Sequence, residues 1–239
     1  MCDNSNMKNI LLLLLSLNIY SQTIESYFEI PKDYKRIIKS DYHDWIITRD
    51  IKVNIKAKTY DNYEVHGLNK TYIAVFDYNI GTRDLHQCAD AVMYNNARYF
   101  FETKQYKKIS YTFSHNARVY SYTKEFNVFN EKTFKKYITM VWGYCGTWSL
   151  QEYDTVKIDV KEMQVGDMFL IGGFPGHAMS VVDMIENNNG KKKFMLAQSF
   201  MPAQEQHILL NVNDVWFNSV NEIPWSFTTN NLRRFKNRK

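Results

Sequence analysis

The chain has 239 residues, enough for one large domain or two small ones, with 45% apolar and 23% charged residues. Those proportions belong to a globular protein and exclude a disordered tail, a collagen-like fibre and a multi-span membrane protein. Thirty Lys and Arg against 25 Asp and Glu leave a net charge of +5, too small to argue nucleic-acid binding by itself, and three cysteines do not make a disulfide scaffold.

Met7-Lys8-Asn9 leads into an apolar run from Ile10 to Leu17 that closes on Ser21-Gln22. A short charged start, an apolar stretch of about ten residues and a small residue at its end predict a secretory signal peptide over residues 1–22. The run falls short of the ~20 apolar residues that a spanning helix needs. The mature chain is then expected to begin between Ser21 and Thr23, as one domain over 23–239 in an extracytoplasmic compartment, with no stable membrane insertion after cleavage. Next, Ser40 is placed to cap a short helix through Trp45, and Val53, Ile55 and Ala57 alternate as a strand. Tyr72–Phe76 reads as a buried strand. Asp84, with Gln87 three residues on, predicts the start of a helix whose stripe is Leu85, Cys88, Ala89, Val92, Asn96, Tyr99 and Phe100.

Strand patterns at Ile109–Phe113 and Val119–Tyr122 precede a second helical stripe from Phe134 to Trp148, which includes Cys145 and has Asn130 as its cap. Three strands crowd the last third: Met168–Ile171, Ala178–Met184 and Phe194–Gln198. Asn187-Asn188-Asn189-Gly190 marks a hairpin between the last two. The basic tail (Arg233, Arg234, Lys236, Arg238, Lys239) reads as a solvated end. Helix, insert, helix and antiparallel sheet make the class α+β.

Three features point to chemistry. Cys88 stands near a helix N-terminus, where partial positive charge favours a thiolate, although a cysteine on an apolar stripe also suits core packing. His177 sits at the mouth of a strand after the Gly-rich turn Gly172-Gly173-Phe174-Pro175-Gly176. Gln198 and Ser199 end the following strand. A nucleophilic thiol needs a base within hydrogen-bond reach, and the base needs a third group to orient its ring. Cys88, His177 and Gln198 supply those roles in that chain order. Cys145, on its apolar stripe, is expected to be structural. The remaining histidines show no metal-ligand spacing, so neither a metal nor a cofactor is expected.

Gln87–Ala91 (QCADA), Gly172–Ala178 (GGFPGHA) and Ala197–Gln204 (AQSFMPAQ) together resemble a family of bacterial secreted proteins or lipoproteins catalogued as a domain of unknown function. More distantly, Gly166-Asp167 before one strand and Gly176-His177 opening the next resemble papain-like amidohydrolases of the NlpC and CHAP kinds. That resemblance implies a helix bearing Cys88 packed on an antiparallel sheet, with an insert between Cys88 and His177. It also implies Cys88 as nucleophile, His177 as base, Gln198 as orienting group, and Gln87 with nearby backbone N–H groups around an oxyanion. The expected function is a cysteine hydrolase or acyltransferase acting on an amide of a cell-wall or secreted peptide. A catalytically inactive binding module on the same scaffold, and an envelope protein whose basic tail meets an anionic polymer, stay open beside it.

Overall fold

A computed structural model describes residues 22–38, 40–65, 72–212 and 214–238. The expected signal segment lies outside these residues except for Gln22. In chain order the main elements are β1 (Gln22–Thr23), α1 (Ile24–Tyr27), β2 (Tyr34–Arg36), α2 (Asp41–Ile47), β3 (Asp50–Val53), β4 (Tyr72–Phe76), α3 (Cys88–Glu102), β5 (Ser110–Thr112) and β6 (Val119–Ser121). They continue with α4 (Tyr122–Glu125), α5 (Glu131–Tyr144), α6 (Thr147–Ser149), β7 (Thr155–Lys157), β8 (Met168–Ile171), β9 (His177–Asn187), β10 (Lys192–Gln198), β11 (His207–Leu209) and β12 (Leu232–Phe235). The fold is α+β.

One antiparallel sheet runs in the order β1-β3-β4-β11-β10-β9-β8-β12-β7, and β2 lies beside the far end of β9. At its centre β9 is buried over its first nine residues, HAMSVVDMI. A strand covered on both faces reads as a continuous apolar run rather than an alternation. Here α2 and α3 pack against β9, while Phe227, Phe169, Phe194 and Phe217 adjoin in that order at 5.8–5.9 Å. The expected hairpin joins β9 to β10, with Lys192 opposite Glu186 and Ala197 opposite Ser180. The β5–β6 hairpin, α4 and α5 follow α3 in the chain, and α5 packs against α3.

The ends of several elements differ from the sequence reading. The strand expected through Ala57 stops at Val53, because Asn54 turns the backbone to φ 56°. Asn130 does cap α5, accepting from the Thr133 N–H at 3.0 Å. That helix nevertheless ends at Tyr144, and Cys145 is already extended. Asp84 does not open α3. Its carboxylate accepts from the Ala203 N–H at 2.7 Å and the Gln87 side-chain amide at 3.1 Å, so the helix begins at Cys88 with Gln87 as cap.

The tail departs furthest from expectation. Instead of a solvated end, Arg233 and Arg234 lie in β12. Both Nε and Nη2 of Arg234 bond the fully buried Asp167, at 2.7 and 2.9 Å. Arg238 lies over the Tyr42 ring, 3.1 Å from its centroid. Gly166 leaves room for this guanidinium: at φ 91°, an added Cβ would sit 1.8 Å from Arg238 Nη1. Basic residues at a chain end are usually solvated; these are drawn in by buried acceptors and an aromatic face.

Candidate active site

The three separated sequence motifs meet at one place. Loop 199–206, which follows β10, is stapled to the segment that precedes α3. Asp84 holds Ala203, His86 Nδ1 faces the Gln204 carbonyl at 3.1 Å, and the Ser199 hydroxyl donates to the same carbonyl at 2.7 Å. Cys88, the first residue of α3, is thereby set beside the start of β9. The Gly172–Gly176 turn closes the other side. An added Cβ at Gly176 would lie 2.2 Å from Thr147 Oγ1 and 2.6 Å from the Gly173 carbonyl, so only glycine fits that approach.

Between them opens a cavity of about 520 Å³, lined by Cys88, Asp90, Trp142, Cys145, Thr147 and the 173–176 turn. Phe174 and Met201 form exposed apolar lips. Both cysteines are free thiols. Cys145 packs against the hydrophobic core as expected, but it is half-buried and also lines the cleft, because α5 ends one residue before it.

The Cys88 sulfur is met by the backbone N–H of Ala178, the residue after His177, and by the N–H groups of Cys88 and Ala89. Burial nevertheless dominates and pushes the thiol up to about 11, with the nearby Asp90 carboxyl adding to the rise. The expected thiolate is therefore not the resting form. The helix N-terminus favours it, but desolvation at 7% exposure outweighs that contribution.

His177 opens β9 and is 1% exposed. Its ring lies 4.4 Å from Trp225 and 5.3 Å from Phe200, centroid to centroid. Burial lowers its pKa, and the hydrogen bond to Gln198 partly offsets this. Nε2 lies 2.7 Å from Gln198 Oε1. The Gln198 amide nitrogen lies 3.4 Å from Nε2 of His207, whose Nδ1 faces the Glu205 carbonyl at 3.1 Å.

The protons in this chain can be assigned from its far end. Burial lowers the His207 pKa to about 4, so its ring is neutral at pH 7. Its single N–H must serve the Glu205 carbonyl, which can only accept, and its Nε2 then accepts from the Gln198 NH₂. The Gln198 oxygen therefore faces His177 and accepts from Nε2–H. That leaves the lone pair of His177 on Nδ1, which has no hydrogen-bond partner among the described residues. A fixed tautomer with one bare nitrogen is what a general base requires.

Of the residues that sequence reasoning singled out, the structure joins His177 to Gln198 at 2.7 Å and sets Cys88 beside Ala178, the residue after His177. Sequence reasoning missed His207, Asp90 and Trp142. Asp90 Oδ2 accepts from the Gln87 N–H at 3.0 Å, but its buried Oδ1 has no partner, and neither has the buried Nε1 of Trp142. Burial raises the Asp90 pKa well above its ordinary value. His207 carried a legible signal: β11 places it opposite Gln198, but three residues were too short to read as a strand. Gln87 was expected at an oxyanion. Its side chain lines the cleft but donates to Asp84.

Residues 24–234 match the family described as Domain of unknown function (4846), and the chain belongs to that family. No curated protein and no solved structure matches the chain.

Proposed function

We propose that the protein is a cysteine hydrolase or acyltransferase that acts on an amide through Cys88, His177 and Gln198, in a papain-like arrangement. One observation carries this reading. The His177 ring is fixed by Gln198 at 2.7 Å with Nδ1 left bare, and the next residue along, Ala178, directs its N–H at the Cys88 sulfur.

In this mechanism His177 Nδ1 takes the thiol proton as the Cys88 sulfur attacks the amide carbon, because the resting group is a thiol. The carbonyl oxygen gains the negative charge, and the N–H groups of Cys88 and Ala89 at the start of α3 stabilise it. His177 then returns the proton to the leaving amine as the C–N bond breaks, and a thioester remains on Cys88. Water, or an acceptor amine in a transferase, loses a proton to Nδ1 as it attacks the thioester. The thiolate leaves and is reprotonated. An extracytoplasmic peptide, of the cell wall or secreted, is the proposed substrate.

The second reading is a binding module, favoured by the burial that holds Cys88 as a thiol. A peptidyl acyloxymethyl ketone separates the two. The hydrolase reading expects Cys88 to be labelled far faster than by iodoacetamide, with Cys145 spared. No labelling of Cys88 by the peptidyl reagent would establish the binding module.

A further inference from the structure

One segment carries the charge of the whole chain. Residues 103–140 contain eight basic residues (Lys104, Lys107, Lys108, Arg118, Lys124, Lys132, Lys135, Lys136) against Glu125 and Glu131, a net +6. The rest, with 22 basic and 23 acidic residues, nets −1. The two acids do not neutralise the lysines. Glu125 pairs with Arg118 at 2.6 Å and Glu131 with Arg98 at 2.7 Å, while none of the seven lysines has an ion pair among the described residues.

The charge surrounds apolar surface. One hollow of about 620 Å³ has Tyr120, Phe126 and Met140 as its floor and Lys132, Lys135 and Lys136 as its rim. A second, of about 460 Å³, has Tyr106 and Phe129 as its floor and Lys104, Lys107 and Lys108 around it. Both floors rest on the buried Tyr122, whose ring lies 5.6 Å from Phe126 and 5.4 Å from Phe129. Val128, between those phenylalanines, is 59% exposed. A solvated basic face needs no apolar floor, and an anionic polymer would leave one unused.

We propose that the 103–140 face is a peripheral docking surface for an anionic phospholipid bilayer. Lysine ammonium groups sit at headgroup height while their stems and the apolar floor face the acyl boundary. An apolar floor within a lysine rim suits an interfacial contact. The basic half of α5 belongs to this face and its other end, at Trp142, to the cleft wall. Docking therefore holds the cleft at a set height above the lipid.

The test is co-sedimentation of the full chain with phosphatidylcholine vesicles, with and without phosphatidylglycerol. Binding is expected only with the anionic lipid, weakening as salt rises. Lys132→Gln/Lys135→Gln/Lys136→Gln should lower partitioning about 100-fold, at roughly fivefold per lysine near the surface. Val128→Ser/Met140→Ser should lower it at every salt concentration without changing the salt slope. Both variants change exposed side chains, so their unfolding in urea serves as the folding control, and Cys88 labelling should match the parent. Equal binding to both vesicles, or none, overturns the proposal. So does binding that Val128→Ser/Met140→Ser leaves intact and soluble polyglutamate fully competes, which would assign the face to a polymer.

Discussion

Strand β9 anchors two buried histidine sites, one at each end, and they are built on opposite principles. At its start His177 has a neutral partner, Gln198. Near its far end Asp183, fully buried, accepts from Arg36 Nε, His43 Nε2 and the Met184 N–H, each at 2.8 Å. A carboxylate against an imidazole suggests a catalytic pair at first sight. Yet both nitrogens of His43 are engaged, the second by the Ile37 carbonyl at 3.1 Å, so the ring keeps no nitrogen free of a partner. His177 keeps one. The ionic site ties β2 and α2 to the sheet, and the neutral one lies next to Ala178, which adjoins the Cys88 thiol. A free nitrogen, more than a charged partner, distinguishes a base from a lock.

The sharpest way to break this comparison is to delete each imidazole. His177→Ala should lower the rate of Cys88 labelling by the peptidyl ketone about 10²–10⁴-fold, the usual contribution of a positioned acid–base group. His43→Ala should leave that rate within about threefold in the folded protein. If His43→Ala abolished labelling and His177→Ala did not, the roles assigned to the two ends of β9 would be reversed.

Stability should respond in the opposite sense. Asp183→Asn leaves Arg36 and His43 without their shared carboxylate, and breaking a buried pair from one side costs about 3–5 kcal/mol. Urea unfolding measures it. A loss below about 1 kcal/mol would mean that the ionic site is not the lock described. Gln198→Ala removes two neutral hydrogen bonds, to His177 and His207, and should cost about 1–3 kcal/mol.

Acid should act on the neutral histidines. Burial lowers both His86 and His207 from the usual 6.5 to about 4. The unfolded chain therefore binds more protons between those values. Each group contributes stability that is fully present above about pH 6.5 and is lost as pH falls towards 4, at about 3 kcal/mol each. Unfolding free energy measured from pH 7 to pH 4 should decline accordingly, and His207→Phe should flatten the decline. A flat profile in the parent protein would contradict neutral burial. Because His177 is also lowered, the acid limb of Cys88 labelling is expected to have its midpoint below 6.5.

The central strands, and the residues that end them beside the cleft, were legible because each is written locally. β8 and β9 are apolar runs, Asn187–Gly190 is hairpin chemistry, and Cys88, His177 and Gln198 each stand at the end of an element. What escaped is set by distant partners. Asp84 looked like a helix cap until Ala203, 119 residues away, took its carboxylate. Arg234 looked solvated because Asp167 is 67 residues upstream. The Cys88 protonation state could not be read from its helix position, since it depends on how deeply the cleft buries the sulfur. The placement of β11, which brings His207 to Gln198, rests on a three-residue strand whose partner β4 lies some 130 residues earlier.

The smallest predicted effect tests the part of the site that only the structure revealed. His207→Leu removes the acceptor for the Gln198 amide N–H, and nothing then distinguishes the two faces of that amide. In the flipped form NH₂ faces His177 Nε2, which can then only accept. The proton moves to Nδ1 and the base is lost. Such outer positions typically cost 10–100-fold, and because part of the population keeps the working orientation the lower end, about tenfold, is expected in labelling rate. Saturation by the peptidyl reagent should not change, since His207 does not line the cleft. Nitrogen NMR of the His177 ring reports the tautomer directly. The parent should carry its proton on Nε2, and His207→Leu should show a mixture with Nδ1–H. A merely structural His207 would lower stability and leave that ratio untouched, whereas a ratio that shifts together with the rate assigns His207 to the orientation of the base.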